Sequence, residues 1–196
     1  MGVSPVHVAG VVLTGGLVTG GYFTYQALVP PTLEEYLKKL NVDLISSNWG
    51  EKEAKYKLAQ ETDLIPNISK STSTNVNNDF ARQLQEWCEK KKSKNYLGET
   101  DLTYKRFSLW CTVTKKIKDV LGGRKLKALD DIKKQAKVTA YGQLQEGERF
   151  ITKSNKKPAT IEAADLNKWC EDEQNKDYQY EGDENLKKVI SWCYDK

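Results

Sequence analysis

The chain has 196 residues, 31 Lys and Arg against 27 Asp and Glu, a net charge of +4 and one histidine. That length suits one or two small domains, and closely mixed charges of both signs describe a solvated helical surface, so a nucleic-acid partner is not expected. The lone histidine, His7, precedes the charged part of the chain, which removes Cys-His pairs, Ser-His-Asp triads and His-Glu-x-x-His zinc sites from the body.

No Lys, Arg, Asp or Glu precedes Glu34. Val8–Leu28 is a stretch of 21 residues without Asp, Glu, Lys, Arg or His, and as a helix it would reach about 30 Å, one hydrocarbon core. Gly10, Gly15, Gly16, Gly20 and Gly21 lower its hydrophobicity, and Pro30 and Pro31 stop it. The favoured reading is an uncleaved membrane anchor over residues 1–32. A cleaved export signal, with small residues at Val18-Thr19-Gly20, is the competing one, although the basic leader such signals carry is missing. A buried core helix fits less well, because the segment has no polar face. Gly16 and Gly20 form a small-xxx-small pair through which two such helices could associate weakly.

The body is organised by a duplication. Trp87-Cys88 and Trp110-Cys111 are 23 residues apart, and so are Trp169-Cys170 and Trp192-Cys193. Sliding residues 80–111 by 82 positions pairs 12 of 32 with identical residues, including all four cysteines and four of the five tryptophans. Such a repeat governs every later inference. Unit 1 is placed at 33–113 and unit 2 at 114–196, with Ile68-Ser69-Lys70-Ser71 set against Ile151-Thr152-Lys153-Ser154.

The expected fold class is all-α, two tandem small helical units behind the anchor. Leu33, Tyr36, Leu37 and Leu40 recur at helical spacing; so do Phe80, Leu84, Trp87 and Cys88, then Tyr104, Phe107 and Cys111, and again Leu186, Val189, Ile190 and Cys193. Asp101 and Asp183 stand one turn ahead of their stripes, as N-caps do. Ser69–Asn78, nearly all Ser, Thr and Asn, is a flexible loop, and Gly122-Gly123 breaks the chain near the unit boundary.

The bland role of Trp87, Trp110, Trp169 and Trp192 is core packing. Cys88, Cys111, Cys170 and Cys193 allow three pairings, and the duplication favours Cys88–Cys111 with Cys170–Cys193. Bridged Cα atoms must lie about 4.4–6.8 Å apart, and both cysteines of a pair stand near helix C-termini, so residues 89–101 must run back before the next helix begins. If the thiols are joined, the body belongs in an oxidising compartment. Zinc is disfavoured, since there is no Cys-x-x-Cys and no histidine in the body.

No catalytic, cofactor-binding or metal-binding residues are expected. A Walker A loop and a G-x-G-x-x-G are both missing. Carboxylates such as Asp130-Asp131 alternate with lysines and read as solvated ion pairs. Lys90, Lys91, Lys92 and Lys94 resemble a phosphate-binding patch, but their counterparts are Asp172, Glu173, Gln174 and Lys176. A fixed frame with a changing surface is the better reading.

The Gly-rich uncharged start, the Leu-rich helix after it, the paired Trp-Cys endings, and Thr112, Thr114 and Ile117-Lys118-Asp119-Val120-Leu121 after Trp110-Cys111 make this chain resemble the expanded paralogous proteins of hemotropic mycoplasmas. The resemblance implies an exported or membrane-tethered product at the host-facing surface and carries over no catalytic residue. The expected function is a non-enzymatic surface protein at the cell membrane, its body outside, presenting loops to a host protein or antibody. The alternative is a structural or envelope-assembly protein whose units self-associate.

Overall fold

The computed structural model describes residues 29–70 and 79–195. The apolar stretch 8–28 of the expected anchor, with Gly16 and Gly20, lies outside them, as does most of the Ser/Thr/Asn loop. Among the described residues no helix is long and apolar enough to cross a membrane.

Thr32 starts helix α1 (Leu33–Lys39) with a capping box, its hydroxyl accepting from the Glu35 N–H while the Glu35 carboxylate accepts from the Thr32 N–H. Helices α2 (Trp49–Leu58), α3 (Asp79–Lys92) and α4 (Leu102–Trp110) follow, with a 3-10 turn at Glu61–Asp63. The second set is α5 (Ile117–Gly123), strand β1 (Lys127–Ala128), α6 (Asp131–Gly142), a 3-10 turn at Glu146–Glu148, α7 (Ala163–Gln174), α8 (Glu184–Cys193) and β2 (Tyr194–Asp195). Asp101 caps α4 by accepting from the Tyr104 N–H, and Asp183 caps α8 by accepting from the Leu186 N–H, as the sequence leads one to expect.

The described body is mostly helical, and its strands are two residues each. β1 and β2 form a short antiparallel ladder, with Ala128 opposite Tyr194. The equivalent contact in the first set is the single bridge Leu44↔Thr112. A second pair of bridges, Thr32↔Asn95 and Lys116↔Asp177, repeats in the same way. Chain leaving each disulfide-bearing helix needs partners for its amides, and it finds them in the segment that enters the same repeat. Thus the Leu33 N–H donates to Lys94 O and the Tyr96 N–H to Pro31 O, while the Ile117 N–H donates to Lys176 O and the Tyr178 N–H to Lys115 O. Both repeats therefore share one hydrogen-bond scheme as well as one helix order.

Their interiors are not separate. Pro31–Lys196 is one compact unit. Its larger core joins Leu33, Leu37, Tyr104 and Phe107 to Ile117, Val120, Leu121, Leu186 and Val189, across the boundary expected at residues 113 and 114. A smaller cluster, Tyr141, Ile151, Ile161 and Leu166, belongs to the second repeat. Gly122-Gly123 ends α5 inside that repeat instead of dividing the two. A Cβ at Gly123 would fall within 1.9 Å of the Asn41 side chain, so glycine there permits close approach of the first repeat.

Candidate functional site

The disulfides pair within repeats, Cys88 with Cys111 and Cys170 with Cys193, at Cα separations of 5.5 and 5.7 Å. The run-back expected of residues 89–101 occurs: α3 ends at Lys92, and residues 93–101 return along the entry to α1 before Asp101 starts α4. Of the four tryptophans, Trp110 is buried and its indole N–H donates to Asp63 O at 2.7 Å. Trp87, Trp169 and Trp192 are half-buried and pack against the core. Trp192 carries the Lys137 ammonium over its ring.

A buried tyrosine locks the turn in each repeat. Tyr56 is inaccessible; its hydroxyl accepts from the Ile65 N–H at 2.8 Å and donates to Ile68 O at 2.9 Å. Tyr141, also inaccessible, accepts from the Ile151 N–H at 3.2 Å and reaches Ile151 O at 3.4 Å. This corrects the register: Ile65, not Ile68, is the counterpart of Ile151. An aromatic ring meets each tyrosine edge-on, Phe80 from α3 in one repeat and Phe150 from the loop before α7 in the other. These positions do not match in sequence, so the same place is filled from different parts of the chain.

Polar groups brace each repeat internally and, through Lys55 and Asp177, join one repeat to the other. Lys52 on α2 is buried and donates to Leu109 O in the last turn of α4 at 2.9 Å, where a helix end favours a cation. Burial, reinforced by the nearby Lys55 charge, brings its pKa down to about 8. Asp177 accepts from Lys55 at 2.8 Å and from Lys116 at 2.7 Å; burial pushes its carboxyl up, but the two lysine hydrogen bonds prevail and hold it below the usual range. Arg124 and Glu181 pair at 2.8 Å, each side chain about 15% exposed, beside the buried Tyr104 and Tyr178, whose hydroxyls are pushed up first by burial. Tyr36 stacks on Tyr96 with centroids 3.6 Å apart, and both meet Tyr104 edge-on. Every charge in this network has a structural partner, and no nucleophile–base pair emerges from it.

The second repeat also holds a cavity of about 290 Å³ between α5, β1, α7 and α8. Leu129, Leu166, Trp192 and the Cys170–Cys193 bridge line it, and Lys118 and Lys134 stand at its edge with Glu171. Among the described residues no group of His, Cys, Asp or Glu is arranged to hold a metal ion.

The basic residues Lys90, Lys91 and Lys92 occupy the last turn of α3, where cations complement the helix dipole. Asp172 and Glu173 occupy the same turn of α7 and oppose it, each compensated by a lysine: Lys168 for Asp172, Lys176 for Glu173.

Comparison with protein-family models, with characterised proteins and with solved structures gives no match.

Proposed function

We propose that this chain is a membrane-tethered, non-enzymatic surface protein whose two disulfide-clamped helical repeats present helix ends of different charge, and the loops that follow them, to a host protein or antibody. The observation that carries the proposal is the reversal of charge at matching positions of one frame. Lys90, Lys91 and Lys92 give way to Asp172, Glu173 and Gln174, while the bridges, caps and backbone pairings around them repeat. The unfavourable helix-dipole position of Asp172 and Glu173 is offset by Lys168 and Lys176, so the frame tolerates either sign of charge at this end. Two disulfides support an oxidising location, and the uncharged stretch 8–28 supplies the tether.

Trypsin applied to intact cells tests this reading. Cleavage after Lys90–Lys92, seen as fragments on reducing gels, is the expected result, with the chain retained in membranes through alkaline carbonate. Full protection until the cells are lysed refutes surface presentation, and release by carbonate refutes the tether.

A further inference from the structure

At one corner of the repeats an indole has been exchanged for a lysine. Tyr56 and Tyr141 fix the register of α2 against α6, because each accepts a hydrogen bond from the corresponding isoleucine. Seven residues before Tyr56 stands Trp49, half-buried and packed against the core. Seven residues before Tyr141 stands Lys134, at the edge of the cavity. The remaining walls correspond: Leu84 to Leu166, Ile45 to Leu129, Trp110 to Trp192, and one disulfide to the other. By this register the first repeat has a core-packed indole at the position where the second has a lysine lining the cavity.

The rim changes as well. Lys118 stands where the first repeat has Glu34, so this exchange and the one at Lys134 bring two ammonium groups to the mouth. Glu171 has its counterpart in Glu89 and adds nothing new. Among the described residues Lys134 forms its ion pair with Asp131, whose side chain is 99% exposed, a contact that water largely screens. The floor is apolar and includes a disulfide and an indole ring. The cavity volume lies at the small end of ligand sites, about 300–1,000 Å³, which suits one fused ring system and nothing much larger.

The geometry points to a small-molecule site in the second repeat for a planar bicyclic aromatic carboxylate. Its ring takes the place that Trp49 holds in the first repeat, and its carboxylate meets Lys118 and Lys134. The site does not depend on the surface role proposed above.

Indole-3-acetate is the probe, added to the full-length oxidised chain in detergent micelles. The readout is the indole N–H resonance of Trp192, with that of Trp110 as internal control for folding and for partition into the detergent. A saturable shift at Trp192 is expected, with a Kd between about 30 μM and 1 mM for a ligand of this size. Lys134→Trp should abolish the shift while the Trp110 resonance stays in place. Lys118→Ala should weaken indole-3-acetate about 3–10-fold, the loss of one partly exposed charge contact, and leave neutral indole unaffected. No saturable shift, equal binding by a folded Lys134→Trp, or an affinity indifferent to Lys118→Ala would each overturn the assignment. Should Lys134→Trp fail to fold, the Lys118→Ala comparison decides alone.

Discussion

Replacing Tyr56 by Phe removes one oxygen from a fully buried site and leaves the ring in place. The Tyr56 hydroxyl satisfies two backbone groups, the Ile65 N–H at 2.8 Å and Ile68 O at 2.9 Å. Both isoleucines are themselves buried, so water does not replace the lost partner without opening the turn. A buried donor left unpaired costs about 1–3 kcal/mol, and the lost carbonyl contact adds about 1 kcal/mol. Tyr56→Phe should therefore destabilise the protein by about 2–4 kcal/mol. In Tyr141→Phe the bonds lost are longer, 3.2 and 3.4 Å, and the expected loss is about 1–2 kcal/mol. Urea unfolding of the oxidised protein, followed by tryptophan fluorescence, measures both. With a slope of about 2 kcal/mol per M, the Tyr56→Phe midpoint should fall by about 1–2 M, and the Tyr141→Phe midpoint by less. A Tyr56→Phe shift below about 0.3 M would refute the claim that this hydroxyl holds the turn.

Mild reductant should open Cys170–Cys193 before Cys88–Cys111, because Cys170 is half-buried beside the cavity while Cys88 and Cys111 are both buried; timed alkylation and peptide mapping give the order, and the reverse order would contradict it. Trp110→Ala should cost about 3–5 kcal/mol and lower the stability of the whole body in a single transition, since the main core contains residues of both repeats; calorimetry showing one repeat melting alone would disagree. Lys52 has a folded pKa lowered to about 8, so between roughly pH 8 and pH 10.4 the unfolded chain binds more protons at this site than the folded one. Stability from this residue therefore rises with pH across that window, and its burial penalty is fully present below pH 8. The stability difference between the parent protein and Lys52→Met, measured by urea titration at pH 7 and pH 9.5, should move in favour of the parent at the higher pH; an unchanged difference would mean that Lys52 titrates normally.

The sequence by itself determined the duplication and several helices of each copy, and it favoured the pairing of the cysteines that the structure shows. These are legible because they are local or repeated: the Leu33–Leu40 and Leu186–Cys193 stripes lie on single helices, Asp101 and Asp183 stand next to the helices they cap, and the equal spacing of 23 brings each sulfur pair together inside one copy. Tertiary structure decided the rest. No periodicity in the chain announces that Ile117, Val120 and Leu121 complete a core begun by Leu33 and Leu37, because burial there depends on packing between segments far apart in sequence. The match of Ile68 to Ile151 looked right by residue type, yet the tyrosine hydroxyls select Ile65, since a buried N–H must find an acceptor and only geometry says which one does. Lys52 reads as one more solvated lysine until the end of α4 is laid against it. Trp49 reads as the tryptophan left out of the repeat until Lys134 is found in its place, at the edge of an open cavity.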